Sequence, residues 1–359
     1  MMQSINNNGC SVHFNEHCYI ALNNLLKEQS YSKIFCLVDV NSSQYCLPIF
    51  LEKLSTNLTI EVIEIEAGEI HKTIETCTQV WSALSDLGAD RKSLLINIGG
   101  GVVTDLGGFV ASTFKRGIAY VNVPTTLLAM VDASVGGKTG VDLEGLKNQI
   151  GVVSFGEMVL IDSIFLNTLP ANQLKSGYAE ILKHGIIDDY DYWKVVSNLK
   201  DVKFDAIDEI IHQSVLIKNR VVTEDPNENN LRKILNFGHT LGHAIETFYL
   251  KEESLKDLLH GEAIVIGMIM ESFISTKLNL LDLDSLNDIS KSLCSIYGKI
   301  DIPTAYEDNI IELLKFDKKN SHGKINFVLL EGIGKPKIDC QVENDIIKAS
   351  FDYYRSLVP

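Results

Sequence analysis

The chain predicts an α/β domain built on a mostly parallel sheet, followed by an all-helical domain. Through the first half, short apolar runs rich in β-branched residues alternate with amphipathic stretches, the pattern of parallel strands wrapped by helices. After Pro170 the apolar spacing lengthens to that of long helices and stays so nearly to the end. The length, 359 residues, is about twice that of a compact domain of roughly 100–200 residues. The expected division is an α/β domain over 1–171 and a helical domain over 172–359.

In order along the chain, the expected strands are 33–40, 59–65, 93–98, 118–123 and Met158–Ile161. Beyond Pro170, the segment KSGYAEILKHGI reads as a helix, as does LNFGHTLGHAIE. The longest apolar run, AIVIGMIM at 263–270, falls far short of the roughly 18–20 residues a membrane span needs and reads as a buried helix. INFVLL at 325–330 has strand composition and is expected to add an edge to either domain.

The apolar fraction is 45%, the charged fraction 22%, and there are 7 prolines, which excludes disordered and collagen-like chains. With 32 Lys and Arg against 47 Asp and Glu, the net charge of −15 repels polyanions, so nucleic acid is not an expected partner. A small anion needs a few basic groups gathered in one place. The 7 cysteines include no Cys-x-x-Cys pair, so neither a disulfide framework nor a zinc ribbon is indicated. The first residues lack the basic start and apolar core of a signal peptide, and a soluble cytoplasmic protein is the expectation.

Strand 93–98 runs into Gly99-Gly100-Gly101 and then the helix-like VVTDLGGFVAST. Amides at such a helix start favour a phosphate, although the same glycines also serve a plain tight turn. The usual dinucleotide fingerprint fails, because Thr104 takes the last glycine position and the acidic Asp39 precedes the glycines instead of following them. Lys138, behind Gly136-Gly137, either meets an anion or is a solvated loop lysine, with Lys147-Asn148 close by in sequence. Glu180, Lys183 and His184 share one helix face, as do His239 and His243, while His260 opens the most apolar helix. Three histidines and a glutamate suit a divalent metal; the alternative is imidazoles that cap helices or satisfy carbonyls. Lys218, Arg232 and Lys318-Lys319 are surface charges singly, and together suit a substrate with a carboxylate and a phosphate.

The strings VDVN, GEIHK, GGGVVTDLGGF, PTTLLAMVDASVGGKTGV, KNQIG, SGYAEILKHG, DPNENNLRKILNFGHTLGHAIE, LLHGEAIVIGM and DKKN occur in that order. With them the chain resembles the 3-dehydroquinate synthase family from about residue 38 to residue 330. The resemblance implies a Rossmann-like NAD-binding domain, an all-helical domain, and a cleft between them holding one zinc ion, with Co2+ as an alternative. It implies the substrate 3-deoxy-D-arabino-heptulosonate 7-phosphate, oxidised at C5 by NAD, stripped of phosphate, reduced again and closed by an intramolecular aldol step. Carried over by motif, the metal ligands are Glu180, His239 and His260, which turns His243 from a ligand into a substrate-side, proton-handling residue. Substrate and catalytic positions fall on Lys138, Asn148, Lys183, Lys218, Glu228, Arg232, Asn236, Lys318 and Lys319, the last two after Asp317. Arg116 matches an arginine that reaches a neighbouring subunit's phosphate site, which implies a homodimer.

For NAD the matching positions are Asp39, Asn41, Glu69, Lys72, Gly100, Gly101, Val102, Asp105, Thr125, Thr126, Asp132, Lys138, Lys147 and Thr168. Asp39 at a strand end suits ribose hydroxyls and opposes the 2′-phosphate of NADP. Thr104 stands where the family usually has glycine, and Gly107 where alanine is common. Rival readings are another sugar phosphate cyclase, acting on a sedoheptulose or glucose phosphate, and a metal-dependent polyol dehydrogenase that releases NADH. The cyclase relatives lack the substrate carboxylate, so the presence of Lys218, Arg232 and Asn236 favours dehydroquinate synthesis. A catalytically silent scaffold is the least favoured reading, since the metal and lysine positions are intact.

Overall fold

The computed structural model describes residues 2–7, 9–144, 146–198, 204–252, 254–314 and 325–358. The chain divides into two units, Met1–Leu174 with Ile207–Asn219, and Lys175–Ala206 with Arg220–Pro359.

In the first unit the strands are β1 (Ile5–Asn7), β2 (Cys10–Phe14), β3 (Ile34–Asp39), β4 (Ile60–Ile65), β5 (Leu94–Gly99), β6 (Ala119–Pro124), β7 (Lys138–Leu143), β8 (Leu146–Val153) and β9 (Met158–Ile161). Seven form one sheet in the order β1-β2-β9-β6-β5-β3-β4, parallel except for β1 against β2. The five strands expected from sequence are all present within a residue of their expected ends. Their composition reports their place. Central β5 is buried along its whole length, as a strand covered on both faces must be, whereas edge strand β4 alternates exposed Val62 and Glu64 with buried Ile63 and Ile65.

The helices of this unit are α1 (Glu16–Glu28), α2 (Val40–Tyr45), α3 (Leu47–Lys53), α4 (Ile74–Asp86) and α5 (Gly101–Thr113). Cys77, Val80 and Leu84 of α4 and Val103, Leu106 and Val110 of α5 share a core with Phe35, Leu37 and Leu95 of the sheet. Gly107 of α5 lies so close to Asn97 of β5 that a Cβ there would stand 2.0 Å from Asn97 Oδ1. Asn97 fills the space that an alanine methyl at 107 would use, and it donates to Asn122 at 2.8 Å.

Sequence periodicity did not disclose β1 and β2, which are short and rich in Asn, Ser and His, nor the β7–β8 hairpin. Lys138 therefore begins a strand and does not sit in a loop. The hairpin is tight, since a Cβ on Gly140 would lie 2.5 Å from the Ile150 carbonyl oxygen.

The second unit holds most of α6 (Ala171–Asp188), all of α7 (Tyr190–Ser197), and the last turn of α8 (Phe204–Glu224), whose 207–219 stretch belongs to the first unit. It continues with α9 (His239–Lys251), α10 (His260–Lys277), α11 (Leu283–Tyr297) and α12 (Glu307–Leu313), then β10 (Phe327–Leu330), β11 (Pro336–Cys340) and α13 (Asn344–Ser356). β10 pairs antiparallel with β11 in a sheet of two, so it does not extend the large sheet; its Leu330 N–H donates to Ser275 Oγ of α10. Helix α10 is the core of this unit, with Ala263 to Met270 all buried. It meets α9 at backbone contact: a Cβ on Gly267 would lie 2.0 Å from the Gly238 carbonyl oxygen.

Candidate functional site

In the first unit the candidate cofactor residues collect where the chain leaves its strands. Asp39 ends β3 and caps α2, its carboxylate accepting the Ser42 N–H at 2.7 Å while Ser42 Oγ accepts the Asp39 N–H at 2.9 Å. Asn41 lies exposed in the first turn of that helix. Gly100 caps α5, with Gly101 and Val102 as its first residues, so the N–H groups of a helix start lie at the end of β5. Thr125 N–H donates to Gly99 O at 2.9 Å, and a Cβ on Gly100 would come within 3.0 Å of Thr126 Cγ2. Thr104, in place of glycine, is buried and turns its hydroxyl back onto the Gly100 and Gly101 carbonyls, which is why this helix start tolerates it. Thr168 closes a 3-10 turn over Ser163–Thr168 and is exposed.

A charged network joins the rest. Lys72 is buried, and its ammonium donates to Asp105 Oδ2 and to Asn148 Oδ1, both at 2.6 Å. Burial opposes its charge, but the Asp105 and Glu69 carboxylates hold the ammonium above its ordinary pKa. Asn148 has φ 51°, and its N–H donates to Asp142 Oδ1 at 2.6 Å; the Asp142 N–H donates in turn to Lys72 O at 2.8 Å. Lys147 pairs with Glu69 at 3.6 Å. Lys138 is exposed at the hairpin start. Asp132 sits on a π-helical turn, Ala129–Ala133, where its carboxylate and carbonyl accept from Lys218 of α8. Arg116 stands apart from these groups. It and Lys115 both have left-handed backbone, with φ 71° and 49°, and with Asp90 and Arg91 they line a shallow open recess.

In the second unit, helical spacing performs as expected. Glu180, Lys183 and His184 lie fully buried on one face of α6, with Lys183 ion-paired to Glu180 Oε2. His239 is the first residue of α9 and His260 the first of α10. Their Nε2 atoms lie 3.5 and 3.6 Å from the same oxygen, Glu180 Oε1. Their Nδ1 atoms each face an acceptor, Phe237 O at 3.1 Å for His239 and Glu246 Oε2 at 3.2 Å for His260. Burial pushes the His260 imidazole down, but Glu246 and Glu180 outweigh it and bring its pKa to about 9. His243 joins the group, its ring 5.0 Å from His239 and 5.8 Å from His260, and the three histidines each offer a nitrogen within 4.8 Å of the others.

The donor set suits a divalent metal. Ligands at about 2.0–2.2 Å in a tetrahedron stand about 3.3–3.6 Å from one another, the range of the separations across Glu180 Oε1. Acceptors on both Nδ1 atoms hold that proton on each ring, so loss of the Nε2 proton turns an Nε2 lone pair toward the glutamate, the tautomer a metal requires. Glu246, three residues after His243 in GHAIE, was not singled out from the sequence; a buried glutamate on the helix of a candidate ligand was the available signal.

Arg232 lies on a 3-10 turn, Leu231–Asn236, is 3% exposed, and donates to Pro226 O at 2.8 Å. The loop before it is drawn in by Asp225, whose carboxylate accepts the N–H groups of Asn229, Asn230 and Arg232. Burial raises that carboxyl, but those N–H groups hold it below its ordinary pKa. Asn236 donates to Glu228 Oε1 at 2.6 Å, and Glu228 has φ 58°. Lys318 and Lys319 lie outside the described residues.

Sequence comparison decides the family. A curated 3-dehydroquinate synthase from Parabacteroides distasonis is 40% identical over 93% of this chain and 94% of its own. The chain belongs to the 3-dehydroquinate synthase family. Residues 62–176 match the family description "3-dehydroquinate synthase N-terminal" and 177–320 match "3-dehydroquinate synthase C-terminal". Its activity is the synthesis of 3-dehydroquinate, a carbon–oxygen lyase step of the shikimate pathway. Among solved structures, the 2-epi-5-epi-valiolone synthase of Streptomyces hygroscopicus, with NAD+ and Zn2+ bound, is 26% identical at TM-score 0.85, covering 99% of each chain. A 2-deoxy-scyllo-inosose synthase, complexed with carbaglucose-6-phosphate, NAD+ and Co2+, is 25% identical at TM-score 0.83, covering 98% of this chain and 99% of its own. The expected α/β-then-helical architecture is the one these 3-dehydroquinate synthase relatives share.

Proposed function

We propose that the chain converts 3-deoxy-D-arabino-heptulosonate 7-phosphate to 3-dehydroquinate and phosphate, with residues 1–171 serving NAD and residues 172–359 serving one divalent metal, Zn2+ or Co2+. The observation that carries the metal half is the convergence of His239 and His260 Nε2 on one Glu180 oxygen, each ring held at Nδ1 by an acceptor. NAD held by the first unit would supply the acceptor for the C5 hydride and the source from which it is restored. A divalent ion held by Glu180, His239 and His260 would supply Lewis acidity to the C5 oxygen.

The chain's own residues do the rest. Lys183 neutralises Glu180 and keeps its second oxygen in place. His243 stands beside the ligand rings as the group that passes protons on the substrate side. Lys72 holds Asn148, a substrate-facing residue, against Asp105, a cofactor-facing one, so one buried ammonium sets the spacing of both. Asp39 meets the ribose hydroxyls, and the amides at Gly100 and Gly101 receive the pyrophosphate. Asn41, Glu69, Val102, Thr125, Thr126, Asp132, Lys147 and Thr168 complete the cofactor side. Lys138, Lys218, Arg232 and Asn236, with Lys318 and Lys319, hold the substrate's carboxylate and phosphate, and Glu228 orients the Asn236 amide by accepting from it. The oxidised C5 makes the neighbouring proton acidic, and the substrate's own phosphate takes it, so the protein supplies cations where a base would otherwise stand.

The protein is read as a homodimer in which Arg116 of each copy serves the other, supported by its exposed position in a basic turn. A cytoplasmic enzyme fits the seven free thiols and the finding that, among the described residues, no helix is long and apolar enough to cross a membrane. The test is phosphate release by the purified chain with catalytic NAD and Zn2+, followed together with absorbance at 340 nm. Phosphate far in excess of NAD without lasting NADH is expected. Accumulating NADH or no reaction overturns the reading.

A further inference from the structure

We propose that Glu271 is a positioning residue of the metal site, holding the His239 imidazole through the first turn of α9. The inference rests on the reading of His239 as a metal ligand. Glu271 lies on α10, on the same helix as His260, and its side chain is fully buried. Oε2 accepts the Gly238 N–H at 2.6 Å, and Oε1 accepts the Leu241 N–H at 3.2 Å. These belong to the N–H groups that a helix start leaves without intrahelical partners, and the positive end of α9 favours the carboxylate charge.

The two clamped amides bracket His239 in sequence, so the carboxylate fixes the backbone from which that imidazole projects. The surrounding packing makes this reach available. Gly238 has φ +78°, and a Cβ there would stand 2.4 Å from Met268 Cγ and 3.0 Å from Ile264 O, which shows α9 beginning directly on the α10 backbone. A buried carboxylate costs far more than an apolar side chain of the same size unless its hydrogen bonds are made. Apolar packing alone would be met by leucine or methionine at this position, as at Ile264, Met268 and Ile274 of the same helix.

The arrangement is reciprocal. Glu246 on α9 holds His260 of α10, while Glu271 on α10 holds the turn that carries His239 of α9. Each helix supplies one ligand histidine and one buried carboxylate that fixes the other helix's histidine. The separation of the two imidazoles is thereby set by one helix pair before any ion arrives.

The test is Co2+ binding to the metal-free full-length chain, by chelator competition and by the visible absorption of the bound ion. Wild type, Glu271→Gln and His239→Ala are compared. Glutamine keeps the shape but cannot accept from both amides. Glu271→Gln is expected to weaken Co2+ binding about 10–100-fold and to shift its visible bands. A purely structural role would lower the melting temperature of the metal-free protein and leave affinity and spectrum as in wild type; that result overturns the proposal. If His239→Ala keeps wild-type affinity, the ligand reading itself has failed. If His239→Ala loses the ion and Glu271→Gln does not, only the Glu271 proposal falls. Should the glutamine variant not fold, hydrogen exchange of metal-free wild type decides. Gly238 and Leu241 amides as slow as those in the middle of α9 support the clamp, and exchange at the rate of a frayed helix end overturns it.

Discussion

In the first unit the candidate groups sit where the chain leaves a strand: Asp39 at the end of β3, Gly100 after β5, Thr125 and Thr126 after β6. In the second they ride on helices: Glu180 within α6, His239 at the head of α9 and His260 at the head of α10. Strand ends offer free amides and room, which suits an extended cofactor bound at many points. Helix faces fix a few side chains within tenths of an ångström of one another, which suits an ion with a strict coordination distance. The first kind of site tolerates a residue such as Thr104 in a glycine position. The second depends on single atoms.

That contrast breaks or holds under substitution. The largest effect is expected for His260→Ala, which should leave under about 1% of activity and no tightly bound metal while NAD affinity stays within about twofold. Metal content and NAD fluorescence titration measure the two sides separately, and a loss of both would mean the sites are not separable.

Next comes Lys72→Met, which strands the partly buried Asp105 carboxylate without its ion-pair partner. Breaking such a pair costs about 3–5 kcal/mol, so the melting temperature should fall by roughly 10 °C while the metal affinity of the second unit is unchanged. Calorimetry with a parallel metal titration checks it.

Glu246→Gln should weaken metal binding about 10–100-fold through the His260 ring, with little change in NAD binding. Equal metal affinity in this variant would show that the Phe237 carbonyl and the Glu180 carboxylate are enough.

The smallest effect belongs to the first unit's backbone. Gly107→Ala drives a methyl into Asn97 and should cost about 1–3 kcal/mol by chemical denaturation, with metal binding intact. A neutral result would mean that α5 shifts freely over β5.

Much of this was legible in the residues. Short apolar runs marked the inner parallel strands because a strand covered on both faces must be largely apolar, alternation marked edge strand β4, and the i, i+4 spacing of His239 and His243 placed two imidazoles on one face. The long ordered motifs carried the family. The β7–β8 hairpin was not legible, because its polar and glycine-rich strands pair only with each other and show no alternation against a core. Nor was the separate β10–β11 pair, since a strand's composition does not say which neighbour it joins.

Sequence alone determined which side chains exist to bind an ion, a cofactor and an anion, and in what local spacing, because periodicity and turn chemistry act over a few residues. Only the tertiary structure decided that Glu180, His239 and His260 meet at one oxygen atom, that Lys72 reaches Asn148, and that Glu246 and Glu271 stand behind the histidines. Those meetings join residues far apart in the chain, and their distances come from how closely glycine-lined helices and paired strands can pack, a property no local pattern records.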